Sequence, residues 1–158
     1  MSILRAATIE SLHKPHKHLL DPSSVRNTVS LGDETGLTKT GVHKTSLEPG
    51  MKSSVEHFHD VDDEWVYILQ GSGTLLRAGV GEDTPLSVGD FIGWSTAAAS
   101  EGQPHALQAG AEGLTYLCGG SRSPVDLCHY PLQKKALLIN RVQNVGGITV
   151  SCKFVDES

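Results

Sequence analysis

The chain has 158 residues, of which 38% are hydrophobic and 20% are charged, and its formal net charge is −5. This length suits one domain with a buried core. The negative charge argues against a nucleic-acid partner, because binding to phosphates needs a basic surface. No apolar run approaches the roughly 18 residues of a membrane span, and the N-terminus lacks the apolar segment of a secretory signal. We therefore expect a cytoplasmic protein with neither a nucleic-acid nor a membrane partner.

The glycine and cysteine contents add two expectations about fold and compartment. Seventeen glycines among short apolar runs favour an all-β architecture with tight turns. The cysteines, Cys118, Cys128 and Cys152, are odd in number and widely spaced. This pattern is typical of reduced thiols in a cytosolic protein.

The N-terminal part predicts a short helix followed by strands. Apolar residues in the segment 3–13 permit an amphipathic helix, which the prolines that follow should end. His13, His16 and His18 lie among lysines, so we expect an exposed basic loop rather than a metal site. Residues 25–31 and 41–47 then alternate as the first two strands would.

The stretch from residue 50 to residue 71 carries the most informative pattern. His57 and His59 are two residues apart, so on a strand both imidazoles point to the same face. After a polar turn of four residues, Glu64 begins an apolar run that predicts the next strand. A hairpin of this form places a carboxylate beside two imidazoles, a combination that suits a first-row divalent metal.

The middle of the chain predicts further strands and a third histidine. We expect a tight hairpin at residues 71–73 and a strand at 91–94 that pairs with residues 105–108 across a loop at 95–104. The only histidine between residues 89 and 116 is His105. Residues 114–118 predict the last barrel strand.

The C-terminal part predicts a strand and a hairpin. Residues 125–130 indicate a strand, and the apolar runs on either side of residues 144–147 indicate a hairpin. Because exposed sheet edges favour association, this extension is expected to cover an edge.

Taken together, these motifs resemble those of the cupin superfamily. The first cupin motif combines a glycine, His-x-His, a glutamate and a closing glycine; the second combines a Gly-Asp turn with Gly-x-x-His. Here they correspond to Gly50, His57, His59, Glu64 and Gly71, and then to Gly89-Asp90 and Gly102-Gln103-Pro104-His105. The resemblance spans residues 42–116. It departs from the usual pattern by one extra residue before His57 and by an apparent insertion at residues 96–100.

The resemblance implies a fold, a ligand set and an assembly. The expected fold is a single-domain jelly-roll barrel, a double-stranded β-helix, with a core at about residues 24–119, an N-terminal arm at 1–23 and an extension at 120–158. The implied metal ligands are His57, His59, Glu64 and His105, with Fe(II) favoured and Mn(II), Ni(II) or Zn(II) as alternatives. Small cupins commonly pair, so we also expect a homodimer.

Three kinds of function fit this ligand set. The favoured one is a non-haem dioxygenase or related oxidoreductase that acts on a small organic substrate in the barrel. The first alternative is a redox-neutral isomerase, lyase or decarboxylase, and the second is a binding protein without catalysis. Candidate catalytic residues are Glu64, His43 and Tyr116, while Arg77 is a candidate contact for a carboxylate or enolate, although surface solvation explains it more simply.

Overall fold

The protein is mostly β-structure, with short helical segments near its N-terminus. The computed structural model describes residues 2–78, 80–96, 103–144 and 147–157. The elements, in chain order, are α1 (Ala6–Leu12), β1 (Lys14–Lys17), β2 (Val25–Ser30), α2 (Leu31–Thr35), β3 (Thr40–Leu47), β4 (Phe58–His59), β5 (Glu64–Leu76), β6 (Thr84–Leu86), β7 (Phe91–Trp94), β8 (Ala106–Ser121), β9 (Val125–Tyr130), a 3₁₀ turn (Pro131–Gln133), β10 (Lys135–Asn144) and β11 (Gly147–Asp156).

The strands form two antiparallel sheets. The seven-stranded sheet has the order β1-β2-β3-β8-β5-β6, and β7 also pairs with β5. The four-stranded sheet has the order β11-β10-β9-β4. The C-terminal strands therefore form a sheet with β4, which carries His59. The all-β class, the short N-terminal helix and the C-terminal hairpin are confirmed, and none of the helices in the described ranges is long and apolar enough to cross a membrane.

One predicted turn is instead the middle of a strand. The hairpin expected at residues 71–73 does not form, because β5 continues through it with two register shifts against β8. Gly71 has a φ of +80°, and a Cβ there would lie 2.1 Å from the carbonyl oxygen of Gly113. The glycine is therefore required by a close backbone approach inside the sheet rather than by a turn.

The pairing predicted around the second motif is also wrong. Strand β7 pairs with β5, and not with the residues that follow His105. Both edges of β8 are already occupied, since its C-terminal half pairs with β3 and β5 while residues 106–109 pair with the end of β5. The predicted loop at 95–104 lies partly outside the described residues.

The N-terminal histidine tract is not a simple loop. Residues 14–17 form β1 and pair with β2, so that His16 lies opposite Arg26. The side chains of β1 are exposed, as expected for a basic segment. This strand forms one end of the seven-stranded sheet.

Two hydrophobic clusters hold the sheets together. The larger one consists of Leu47, Val66, Ile68, Leu86, Leu107, Ala109, Leu114 and Tyr116. The smaller one lies under the four-stranded sheet and consists of Val55, Cys128, Tyr130, Leu137 and Ile139. Strand alternation from Glu64 and from His105 predicts that Val66, Ile68, Gln70 and Leu107 point inward. Val66, Ile68 and Leu107 are buried, whereas Gln70, which follows a register shift, is exposed.

Candidate metal centre and cavity

The four predicted ligand residues converge, although they come from different elements. His57 and His105 face each other in an isolated antiparallel bridge, with backbone hydrogen bonds of 3.1 and 3.0 Å between them. His59 lies on the short strand β4, and Glu64 is the first residue of β5. The bridge and the two strands thus bring three imidazoles around one carboxylate.

The distances fit a single ion. The Nε2 atoms of His57 and His105 lie 3.7 and 3.1 Å from one oxygen of Glu64, and the Nε2 atom of His59 lies 3.6 Å from the other. Atoms bound at about 2.1 Å to one octahedral ion are separated by roughly 3 to 4 Å. His57, Glu64 and His105 are therefore spaced as a shared cation would require, and His59 reaches the other oxygen of the same carboxylate.

The outer nitrogen of each imidazole is held by an acceptor. The Nδ1 atom of His57 donates to the Val55 carbonyl at 3.0 Å, and that of His105 donates to the Gln103 carbonyl at 2.8 Å. The Nδ1 atom of His59 donates to the Asp126 carboxylate at 2.5 Å. With Nδ1 held in this way, Nε2 is the atom that faces Glu64 and that a metal would bind in place of a proton, as in metal-binding histidines.

The electrostatics of this cluster call for a positive charge at its centre. Burial lowers the pKa of His57 to about 3. Burial alone would lower the pKa of His59, but the hydrogen bond to Asp126 outweighs it and raises the pKa to about 11. For Glu64, burial opposes ionisation, yet the hydrogen bond from His105 and the neighbouring imidazoles lower its pKa to about 2. A proton on His59 thus supplies the positive charge beside Glu64 that a bound cation would supply.

A second group of metal-type donors lies on the other side of the histidine pair. His57 and His59 share it with the buried Cys128. In the first group, the ligand atoms of His57, Glu64 and His105 all lie within 4.8 Å of one another. Only the first group opens into the cavity described next, so it is the better candidate for a site that meets substrate.

Three residues of the donor cluster, His57, Glu64 and His105, form part of the wall of a cavity of about 400 Å³. This volume is within the range for small-molecule sites, roughly 300 to 1,000 Å³. The wall contains aromatic and apolar groups as well as hydroxyls, imidazoles and a guanidinium; its members are His16, Arg26, Thr28, Ser30, His43, Thr45, Ser53, Ser54, His57, Glu64, Trp65, Val66, Trp94, His105, Ala106, Leu107, Tyr116 and Cys118. The shape and chemistry suit a compact polar molecule.

Two of the predicted catalytic residues also line this cavity. Burial lowers the pKa of His43, so its imidazole is neutral at pH 7. Tyr116 is buried, and burial raises the pKa of its phenol, which keeps its proton. Trp94 stacks on His105 with ring centroids 3.7 Å apart and planes 10° from parallel, which restricts rotation of the imidazole.

The structure also separates predicted contacts from residues that sequence reasoning missed. Arg77 lies outside the cavity, after β5, with its guanidinium over Gly81. The missed residues are Asp126, which holds His59, and Arg26, which lines the cavity. A sequence signal exists for both, since an acid interrupts the apolar residues of β9, and Arg26, Thr28 and Ser30 form a polar face on β2.

Comparison with known proteins agrees with this architecture. The sequence profile of the cupin domain matches residues 43–118. A crystal structure of a candidate sugar phosphate isomerase from Acidithiobacillus ferrooxidans is 34% identical, covers 98% of this chain and 91% of its own, and superposes with a TM-score of 0.80. The chain belongs to the cupin superfamily. Comparison with curated protein sequences gave no match.

Other cupin structures extend the likeness. A sugar phosphate isomerase of the cupin superfamily from Silicibacter pomeroyi is 26% identical, covers 90% of this chain and 86% of its own, and has a TM-score of 0.69. A predicted oxalate decarboxylase from Thermotoga maritima is 18% identical, covers 77% of this chain and 100% of its own, and has a TM-score of 0.58. The last likeness concerns the fold alone.

Proposed function

We propose that this cupin is a metal-dependent isomerase that acts on a small phosphorylated sugar. The observation that carries the proposal is one cavity whose wall contains His57, His105 and Glu64 of the donor cluster together with a neutral histidine, His43, and a protonated tyrosine, Tyr116. Such a combination provides a binding site for a substrate oxygen and groups that move protons beside it.

The comparisons support the isomerase alternative better than the dioxygenase favoured by the sequence. Two structures that cover at least 90% of this chain are described as sugar phosphate isomerases, one of them as a candidate. Neither description includes an oxygen-dependent reaction. The ligand set alone does not discriminate, because cupin barrels with the same donors host several chemistries.

In this proposal the metal ligands are His57, His59, Glu64 and His105. A divalent ion held there supplies a Lewis acid that polarises a carbonyl or hydroxyl oxygen of the sugar. Glu64 provides the single negative charge among the ligands, and the three imidazoles remain neutral. A redox-neutral reaction does not require Fe(II), so Mn(II), Ni(II) and Zn(II) remain candidates beside it.

In this proposal, side chains that line the cavity transfer the protons. Isomerisation removes a proton from the carbon beside the carbonyl and returns it to the former carbonyl carbon, while a hydroxyl proton moves between the two oxygens. His43 is neutral and is proposed to accept and return the carbon-bound proton. Tyr116 keeps its proton and is proposed to donate a hydrogen bond to a substrate oxygen.

The remaining wall groups position the substrate. Trp65 and Trp94 present aromatic surface in the cavity, which suits the C–H groups of a sugar. The homodimer and the cytoplasmic location predicted from the sequence remain predictions.

The direct test is deuterium exchange coupled to product formation. The metal-loaded protein is incubated in D₂O with a panel of aldose and ketose phosphates, and ¹H NMR follows both the loss of the proton beside the carbonyl and the appearance of the isomer. We expect both signals, with turnover reduced at least 100-fold in His43→Gln. Absence of exchange and of product across the panel would contradict the proposal, and oxygen uptake with the same compounds would favour the dioxygenase instead.

The ligand assignment has a separate test. Elemental analysis of the protein, purified without a chelator or a His tag, should give about one equivalent of a divalent metal. His57→Ala and His105→Ala should lose most of it, because each removes a neutral donor that nothing nearby replaces. Unchanged metal content in both variants would show that the ligand set is wrong.

A further inference from the structure

The cavity contains a cationic side chain that the proposed reaction has not yet used. Arg26 lies on β2, where Arg26, Thr28 and Ser30 occupy alternate positions, and all three line the cavity. The alternation of a strand points these side chains to one face. A polar face with an arginine at its start therefore opens into the same space as Glu64.

Arg26 is held in place without being neutralised. Its Nη1 donates to the carbonyl of Ser53 at 2.8 Å, which fixes one corner of the half-buried guanidinium. Within the described ranges, no carboxylate forms an ion pair with it. A partly buried charge without a counter-ion is unfavourable, so the remaining N–H groups are available to an anion from solution.

Two other arginines, Arg122 and Arg141, each form an ion pair with a carboxylate. Arg122 pairs with Asp33 at 2.6 Å, and Arg141 pairs with Asp62 at 2.7 Å. Asp33, which accepts a hydrogen bond from Ser30 on the polar face of β2, is already paired with Arg122. Arg26, by contrast, has no ion-pairing acid among the described residues.

The neighbours of Arg26 favour an anion as its ligand. His16 lies opposite Arg26 on β1, and Thr28 and Thr45 bring two hydroxyls together at 2.9 Å. His43 faces the positive charges of Arg26, Arg122 and His16 and the negative charge of Asp33. Guanidinium, imidazole and hydroxyl donors together match the oxygens of a phosphate group.

The position of Arg26 in the sheet suits a substrate with two distinct ends. Arg26 is on β2 and Glu64 is on β5, with β3 and β8 between them. Adjacent strands are about 4.8 Å apart, so three steps along the curved sheet amount to at most about 14 Å between the backbones. Side chains that reach inward from both strands leave room for one monosaccharide phosphate between them.

We infer that Arg26 binds the phosphate group of the substrate while the sugar carbonyl lies at the metal centre, and that Arg26 thereby selects phosphorylated over neutral sugars. This inference takes its substrate class from the proposed function. It does not depend on which carbon loses its proton or on which metal is bound.

The first experiment uses inorganic phosphate as the probe. Isothermal titration calorimetry of the metal-loaded protein compares the wild type with Arg26→Gln, Arg26→Lys and, as a matched control, Arg77→Gln, which removes the same charge outside the cavity. We expect phosphate affinity to fall roughly 10- to 100-fold in Arg26→Gln, as expected for losing charge-assisted hydrogen bonds. Arg26→Lys should retain part of the affinity, and Arg77→Gln should match the wild type.

The second experiment separates recognition from folding. kcat/KM is measured for an aldose phosphate and for the same aldose without phosphate, and thermal unfolding is recorded for every variant. Arg26→Gln should lower kcat/KM for the phosphorylated substrate alone, with partial recovery in Arg26→Lys. Equal losses on both substrates, or a lowered melting temperature with phosphate affinity unchanged, would overturn the inference and leave Arg26 as a structural contact to Ser53.

The two proposals fail in distinguishable ways. If phosphate binding depends on Arg26 but no sugar phosphate is isomerised, the anion site stands and the proposed reaction is wrong. If sugar phosphates are isomerised while Arg26→Gln binds phosphate within threefold of the wild type, the reaction stands and the assignment of Arg26 is wrong. Phosphate that binds directly to the metal would give this second result.

Discussion

Replacing Asp126 with asparagine should weaken metal binding without removing any ligand. Asp126 is 1% exposed, and its carboxylate accepts from Nδ1 of His59 at 2.5 Å and from the backbone N–H of Val61 at 3.0 Å. In Asp126→Asn, the amide oxygen satisfies only one of these donors. If the amide nitrogen faces His59, the imidazole must carry its proton on Nε2, the atom that faces Glu64, and it cannot then bind a metal.

The size of the effect follows from these contacts. Removing the outer partner of a metal-bound histidine typically costs 10- to 100-fold in affinity, which is about 1.4 to 2.7 kcal/mol. The amide nitrogen opposes the required tautomer, so we expect the upper part of this range. Rotating the amide to restore the bond to His59 would turn the amide nitrogen, a donor, toward the N–H of Val61. That N–H would then lack an acceptor, which costs a similar amount.

The assay is competition with a chromophoric chelator, with Zn(II) as the probe metal. The matched control is Asp60→Asn, the same chemical change one residue from His59, in a side chain that is 48% exposed and faces His129. The control should bind Zn(II) within about twofold of the wild type. If Asp126→Asn also binds within twofold, the carboxylate does not position His59 and the reasoning is refuted.

Three further predictions concern stability. Burial alone would lower the pKa of His129, but Asp60 and Glu157 raise it above its usual value. The contribution of His129 to stability is therefore complete below about pH 6.5 and is lost as the pH rises through the folded-state pKa. His129→Gln should flatten this part of a plot of melting temperature against pH, and an unchanged plot would contradict the assignment. Gly71→Ala should destabilise the protein far more than Gly89→Ala in urea unfolding. Both glycines have positive φ, but a Cβ at Gly71 would lie 2.1 Å from backbone, whereas at Gly89 nothing lies within 4 Å and the cost should be about 1 to 2 kcal/mol. Equal losses of stability would contradict the steric argument. Chelation of the metal should lower the melting temperature, since a ligand at 100 times its Kd stabilises by about 2.7 kcal/mol, and an unaffected transition would mean that the folded state does not bind the metal tightly.

The ligand cluster could be predicted from sequence because its key spacing is local. His57, His59 and Glu64 fall within eight residues, so alternation and one polar turn bring them together. His105 needed the resemblance to a known family, since its approach to His57 depends on a bridge across 48 positions of chain. The geometry of the four side chains agrees with that prediction, while metal binding itself awaits measurement.

The errors came from contacts between distant segments. Gly71 and Gly73 were read as a turn because two glycines near an apolar run usually indicate one. Their actual role is to let β5 pass close to the backbone of β8, where a Cβ at Gly73 would lie 2.6 Å from the carbonyl of Gln108. Local propensity cannot register that approach, because it depends on which strands become neighbours in the sheet.

The missed site residues have the same physical origin. Asp126 follows His59 by 67 positions and reaches it only because β9 pairs with β4. Arg26 lines the cavity because β2 lies between β1 and β3 in the seven-stranded sheet. Sequence analysis identified the candidate metal ligands, but the residues proposed to orient them and to recognise the substrate depend on sheet topology.

This division also explains why the function predicted from the ligands alone was too specific. Three imidazoles and a carboxylate leave coordination positions open for dioxygen or for a sugar oxygen equally well. The choice depends on what else faces the ion. Here the same cavity holds His43, which is neutral, and Arg26, which lacks a carboxylate partner within the described residues. A candidate proton acceptor and a guanidinium without an ion-pair partner, both beside the candidate metal site, are the reason that we propose proton transfer within a phosphorylated substrate rather than the activation of oxygen.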